Sequence, residues 1–119
     1  MHVKDLNDAE EFIASDESLL RQLIHPEKMD VACRYSLCYA RVKPSQVTKP
    51  HRLRSTEVYY ILEGKGVMTI DEESRPVEPG QAVYIPPHST QHIQNTGPSD
   101  LLFLCIVDPA WRSEDEEMV

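Results

Sequence analysis

The chain has 119 residues, of which 40% are hydrophobic, and this length and composition favour one globular domain with a substantial core. The formal net charge of −8 argues against nucleic-acid binding, because contacts to a phosphate backbone need clustered Lys and Arg. No run of about 18 apolar residues is present, so we expect no membrane span. We also expect no signal peptide, because the first residues lack a continuous apolar stretch.

The amino-terminal part of the chain carries a helix-like pattern. Residues 8–24 place their large apolar side chains at roughly helical spacing. Ser15 or Asp16 would cap a second short helix. His25 stands before a proline, which disfavours the α region in the preceding residue, so the helix would end there. We therefore predict a helical segment within residues 1–30, packed on the rest of the domain.

After this segment the pattern changes to short strands separated by Gly, Pro and polar turns. The strand-like runs are residues 31–42, 57–63, 81–87 and 101–107. Short strands at regular intervals with such turns are typical of β-sandwiches and barrels. We assign residues 31–110 to an all-β barrel domain and residues 111–119 to an acidic tail.

Three cysteines lie within apolar, strand-like surroundings. Cys33, Cys38 and Cys105 show neither CxxC spacing nor an even count. Buried free thiols are the simplest interpretation, since cysteine packs well as a small hydrophobic residue. Free thiols indicate a reducing compartment, so we expect a cytoplasmic protein.

Two stretches of the chain carry recognisable spacing. The first contains His51, Leu53, Glu57 and Gly64, and the second runs from Gly80 through "PPHSTQHIQN" at residues 86–95. Together they resemble the two conserved motifs of the cupin superfamily, G-x5-H-x-H-x3,4-E-x6-G and G-x5-P-x-G-x2-H-x3-N. The resemblance covers about residues 40–107. It implies a small jelly-roll β-barrel whose ligand pocket opens between the two sheets.

The chain departs from the cupin motifs at two ligand positions. His51 and Glu57 match the first motif histidine and the motif glutamate. Leu53 stands where the second histidine belongs, and the final histidine position falls on Gln91. The resemblance therefore gives His51, Glu57 and Gln91 as candidate metal ligands, a set that would bind Zn²⁺, Ni²⁺, Fe²⁺ or Mn²⁺ weakly. The alternative is that the three side chains bind one another without metal, since buried polar groups need partners.

The walls of the expected pocket follow from alternation along the strands. Counting from Glu57 turns Tyr59 and Ile61 inward, with Leu53 as the wall beside the site. His92 lies one residue past the ligand position and would face the opposite side, unless a bulge or register slip turned it inward. We expect Gln91 to face inward and keep His92 as a further candidate for ligand contact.

Fold alone does not decide among the functions that the resemblance implies. The depleted ligand set favours a small-molecule-binding cupin, with catalysis and metal dependence left open. The alternative is a metal-dependent dioxygenase, decarboxylase or isomerase acting on a small organic acid, diketone or sugar derivative. A metal-free isomerase would need a His–Asp or His–Tyr pair, which the sequence does not reveal. We also expect a homodimer, with residues 31–42 as the candidate interface strand.

Overall fold

Eleven β-strands dominate the computed structural model, which describes all of residues 1–119. The strands are β1 (Glu11–Ile13), β2 (Leu19–Ile24), β3 (Ser36–Val42), β4 (His51–Leu53), β5 (Thr56–Glu63), β6 (Gly66–Ile70), β7 (Glu73–Val77), β8 (Ala82–Ile85), β9 (Gln91–Asn95), β10 (Leu101–Asp108) and β11 (Glu116–Met118). They form a six-stranded sheet in the order β1-β2-β3-β10-β5-β8 and a five-stranded sheet in the order β11-β4-β9-β6-β7. All pairings are antiparallel. The predicted all-β jelly roll is confirmed.

The core lies between the two sheets and follows from alternation along the strands. In β3 and β10, every second side chain is buried. At its centre the rings of Tyr59 and Phe103 pack with their centroids 4.3 Å apart. Ile61 and Ile93 are fully buried from opposite sheets. The inward faces of both sheets therefore close one apolar interior.

The helix predicted over residues 8–24 is absent. This segment forms the hairpin β1–β2, in which Phe12 pairs with Leu20, and the remaining helical structure nearby is one 3-10 turn at Leu6–Asp8. The turn of the hairpin contains Glu17 with a φ of 73°, a conformation that ends any helix. Short apolar runs fit either period, and pairing with β3 decides in favour of strands.

His25, expected at a helix end, is instead a buried residue just after β2. Its Nε2 donates to the carbonyl of Trp111 at 2.8 Å, and its Nδ1 accepts from the backbone N–H of Glu27 at 3.1 Å. The ring therefore joins the end of β2 to the chain that follows β10. Cys33, expected to be buried within a strand, lies half-buried in the loop before β3.

The strand chosen as the candidate dimer interface is not a free edge. β3 lies between β2 and β10, so both of its edges are paired within the sheet. The unpaired edges of the six-stranded sheet belong to β1 and β8 instead. Neither of the short 3-10 turns, nor any other part of the chain, forms a helix long and apolar enough to cross a membrane.

Candidate functional site

A cavity of about 180 Å³ opens between the two sheets. The β1–β2 hairpin, the inward faces of β3, β4, β5 and β10, and the carboxy-terminal segment line it. Its lining includes the aromatic residues Phe12, Tyr59, Phe103 and Trp111, the aliphatic residues Leu20, Leu53 and Val107, and the polar residues Asp16, Ser18, Lys28, Cys38, His51, Glu57, Cys105 and Glu116. Of the 20 lining residues 11 are hydrophobic, and the polar groups converge on the same space, which is the usual form of a small-molecule site.

His51 presents one ring nitrogen to this cavity. The side chain is 5% exposed, and its Nδ1 lies 2.9 Å from the carbonyl oxygen of Lys49. Because a carbonyl only accepts, Nδ1 carries the proton and Nε2 of the neutral ring keeps its lone pair. Nε2 makes no hydrogen bond within the protein. Because every fully enclosed side-chain nitrogen and oxygen has a partner, Nε2 must be partly accessible, and His51 lines the cavity. Nε2 therefore opens on the cavity. This geometry makes His51 a fixed hydrogen-bond acceptor.

Asp16 stands beside His51 although it comes from the distant amino-terminal hairpin. Its Oδ1 accepts from the backbone N–H and the hydroxyl of Ser18, at 3.0 and 2.6 Å. Its Oδ2 lies 4.0 Å from the His51 Nδ1 and accepts no hydrogen bond within the protein. The local bonds to Ser18 hold the carboxylate in place, so that a positive charge on the His51 ring would be stabilised at short range.

Glu57 is the centre of a buried hydrogen-bonded chain. Gln91 Nε2 donates to Glu57 Oε1 at 2.7 Å, and the Tyr59 hydroxyl donates to Gln91 Oε1 at 3.1 Å. The thiol of Cys105 donates to Glu57 Oε2. Each carboxyl oxygen of Glu57 thus has one partner, and both partners are uncharged.

Burial is the largest influence on the pKa values of the groups in and beside this hydrogen-bonded network. Removal from water raises the pKa of Glu57, while the hydrogen bonds from Cys105 and Gln91 and the nearby His51 oppose the rise. Burial also raises the pKa of the Cys105 thiol, and the neighbouring Glu57 adds to that effect. Burial raises the pKa of Cys38 to about 11. The two cavity cysteines therefore stay protonated at neutral pH.

The predicted metal ligands do not converge as a coordination site. No group of three or more His, Cys, Asp and Glu side chains is placed to hold a metal ion. Gln91 accepts a hydrogen bond from Tyr59 with its carbonyl oxygen and donates one to Glu57 with its amide, so the oxygen that would bind a metal is already engaged. His51 alone keeps an unengaged nitrogen, and one neutral imidazole is a poor site for a divalent cation. The residues present do not fit a metal site. Glu57 and Gln91 bind each other as the metal-free alternative has it, but His51 binds the Lys49 carbonyl instead of joining them.

The inward-facing residues predicted from alternation do not all reach the cavity. Leu53 and Tyr59 line the cavity, whereas Ile61 is fully buried in the core and does not reach it. Gln91 faces inward and is fully buried behind Glu57. His92 is half-buried on the opposite face of β9 and stands away from the cavity.

Several cavity residues lie outside the motifs and were not predicted. Asp16 was interpreted as a helix cap, and Trp111 lies in the segment that was assigned to an acidic tail. Cys38 and Cys105 are directly opposite in the pairing of β3 with β10, and both line the cavity. The inward alternation of β10 was the one sequence signal that could have placed Cys105 on the cavity side.

The sequence profile described as "Cupin domain" matches residues 38–107. The chain belongs to the cupin family. This cupin is 38% identical over 109 residues to an uncharacterised protein of Methanocaldococcus jannaschii, with 91% of this chain and 86% of that protein covered.

Two further similar proteins are known by the reactions that they catalyse. The glucose-6-phosphate isomerase of Pyrococcus horikoshii is 46% identical over 55 residues, which cover 42% of this cupin and 29% of the isomerase. The chain thus spans less than a third of that enzyme. The polyketide cyclase RemF from Streptomyces resistomycificus superposes with a TM-score of 0.77 at 25% identity, covering 97% of this chain and 89% of the cyclase.

Proposed function

We propose that this cupin binds one small, mainly apolar molecule in the barrel cavity and holds a polar group of that molecule against His51. The observation that carries the proposal is the His51 ring, whose Nδ1 is fixed by the Lys49 carbonyl while Nε2 opens on the cavity. A buried acceptor without a protein partner is costly unless water or a ligand satisfies it. A ligand that donates to Nε2 would therefore gain both orientation and affinity.

The size of the cavity limits the ligand. An engineered apolar cavity of about 150 Å³ accommodates benzene. The cavity here is about 180 Å³, and the packed rings of Tyr59 and Phe103 form part of its wall. A single ring with one short substituent fits this volume, and its apolar body would replace water against the aromatic walls.

Catalysis by proton transfer is the second candidate function, and Asp16 favours it. A neutral imidazole that accepts a proton at Nε2 becomes a cation, and the Asp16 carboxylate lies 4.0 Å from its Nδ1. At that distance a carboxylate would stabilise the positive charge that forms on the ring during proton transfer. His51 and Asp16 together would form the His–Asp pair that a metal-free isomerase needs and that the sequence does not reveal. The metal-dependent alternative is less well supported, because Glu57 and Gln91 are bound to each other.

The binding proposal is tested by screening ring-sized compounds by thermal shift against protein treated with a chelator, with metal content measured before and after. We expect compounds that raise Tm without metal. His51→Asn keeps an amide donor near the Lys49 carbonyl and removes Nε2, so it should abolish the shift. His92→Asn makes the same change on the outer face of β9 and is the matched control. Hits that need added metal, or that bind His51→Asn equally well, would contradict the proposal.

A further inference from the structure

The hydrogen-bond donors on the cavity walls are largely engaged within the protein. Four of them donate to neighbouring side chains: the hydroxyls of Tyr59 and Ser18, the thiol of Cys105 and the indole N–H of Trp111. The side chains of Ser15, Ser36, Cys38 and Lys28 donate no hydrogen bond within the protein, so a carboxylate or a phosphate would find a single charged donor among them. Lys28 is the one lining residue with a permanent positive charge.

The acceptors on the same walls still have bonding capacity. Nε2 of His51 and Oδ2 of Asp16 accept no hydrogen bond within the protein, and both side chains are at least nine-tenths buried. Glu116 uses Oε2 to accept from Trp111 at 3.3 Å, and its Oε1 has no partner. An acceptor-rich cavity is complementary to a ligand that donates.

The apolar walls suit the same kind of ligand. The faces of aromatic rings attract cations, and Phe12, Tyr59, Phe103 and Trp111 all line the cavity. The carboxylates of Asp16 and Glu116 add negative charge, against which Lys28 is a single opposing cation. An organic cation would thus be attracted by both the rings and the carboxylates, whereas an anion would be repelled.

We propose that the ligand of this cavity is a compact organic ammonium ion, that is, a ring-sized amine in its protonated form. This inference rests on the proposed function, because it names the class of molecule that the same cavity takes. The ammonium N–H groups would donate to His51 Nε2 and Asp16 Oδ2, and the ring would pack between the aromatic walls. Sugar phosphates and small carboxylic acids are disfavoured by the same arrangement.

The test compares three probes of nearly equal size and different charge. Benzylammonium, benzyl alcohol and benzoate are titrated into the full chain by calorimetry at about pH 7, where the amine is charged. Millimolar concentrations are needed because ligands with few atoms bind weakly. Benzylammonium should bind at least about tenfold more tightly than benzyl alcohol, the effect of a charge-assisted hydrogen bond, and benzoate should not bind.

Variants separate charge recognition from general binding. Asp16→Asn removes the charge and keeps an oxygen that can accept from Ser18, so it should weaken benzylammonium about tenfold and leave benzyl alcohol unchanged. Lys28→Met removes the opposing charge and should strengthen benzylammonium. Glu117→Gln is the matched control, since Glu117 is exposed and pairs with Arg52 outside the cavity. If Asp16→Asn fails to fold, Lys28→Met alone still tests the direction of the charge effect.

The outcomes distinguish this inference from the proposed function. If benzyl alcohol or benzoate binds as tightly as benzylammonium, the ammonium assignment is wrong and the cavity remains a small-molecule site. Equal affinity of benzylammonium for wild type, Asp16→Asn and Lys28→Met would also overturn the assignment. If none of the three probes binds, and the thermal-shift screen yields no ligand either, both proposals fail together.

Discussion

The thiol of Cys105 donates a hydrogen bond to Oε2 of Glu57 across the pairing of β5 with β10. It is one of two uncharged donors on this carboxyl group, and the other is Gln91. Burial nevertheless dominates and raises the pKa of Glu57. The folded state therefore binds a proton at Glu57 more tightly than the unfolded state does. The resulting stabilisation is fully present below the unfolded pKa and is lost as pH rises through the folded pKa.

Glu57→Gln should stabilise the protein at neutral pH. The variant imitates the protonated carboxyl group and needs no buried charge, so the free energy of unfolding at about pH 7 should rise by about 1 to 2 kcal/mol. The gain should shrink toward acid pH, where Glu57 of the wild type is protonated. Urea denaturation at several pH values measures both trends. Glu72→Gln, on the exposed turn before β7, is the control and should change the free energy of unfolding at no pH. A Glu57→Gln variant that is less stable than the wild type at pH 7 would contradict this account.

The three cysteines should differ in their reaction with a thiol reagent. Cys33 is half-buried in a loop, whereas Cys38 and Cys105 are buried. At about pH 8 a thiol with a pKa of about 11, as for Cys38, is roughly one thousandth thiolate. One thiol should therefore react quickly in the native state and all three after unfolding. Cys33→Ser should leave no fast-reacting thiol, and a fast phase that survives this change would show that a cavity cysteine is activated.

Leu53→His should create the metal site that the wild type lacks. His51 and Leu53 are both buried on the inward face of β4, so the new imidazole would stand beside the first one and near Glu57. Calorimetric titration should show a clear gain in affinity for Zn²⁺ and Ni²⁺, and Glu57→Gln should weaken it. The apo variant should lose about 2 kcal/mol of stability, because a polar ring replaces leucine.

Arg52→His is the matched control for that experiment. It adds an imidazole to the same strand, but residue 52 is only half-buried and pairs with Glu117 on the other face. It should give no comparable gain in metal affinity. A folded Leu53→His variant that binds no better than Arg52→His would mean that an imidazole at position 53 cannot join His51 in binding a metal.

His25→Phe should destabilise the barrel, although His25 itself does not line the cavity. The ring of His25 is 1% exposed and satisfies the Trp111 carbonyl and the Glu27 N–H together. Phenylalanine fills the volume and leaves both backbone groups unpaired, so the free energy of unfolding should fall by about 2 to 4 kcal/mol. Urea denaturation measures the loss. His2→Phe at the exposed amino terminus should have almost no effect, and an equally stable His25→Phe would remove the argument for this buried link.

The parts of the fold that sequence predicted were those governed by local alternation. His51 and Leu53 share a face because two residues separate them on one strand, and Gln91 faces inward because its distance from the flanking proline and asparagine matches the motif. Period-two alternation is a local property, so it can be counted along a chain. The same counting turned Tyr59 toward the cavity.

The parts that sequence missed depend on which strands become neighbours. Cys105 contacts Glu57 because β10 lies beside β5, and no pattern in either strand encodes that order. Asp16 reaches His51 because the β1–β2 hairpin folds over the cavity, whereas a helix in that place would have put its carboxylate elsewhere. The wrong prediction of a helix for this segment is thus the reason why sequence reasoning missed Asp16 as the acidic neighbour of His51.

The turn of the β1–β2 hairpin also bridges to the loop before β4. The backbone N–H of Lys49 donates to the Asp16 carbonyl at 2.8 Å, and the Gln46 amide donates to the Glu17 carbonyl at the same distance. Beyond its own turn, this hairpin pairs in its sheet only with β3. Any movement of the turn that breaks those two bonds would open the part of the cavity wall that the turn forms and withdraw the Asp16 carboxylate from His51. A ligand would then enter or leave only while the carboxylate that pairs with its charge is withdrawn. The residence time of a cation and its affinity for the cavity should therefore rise and fall together.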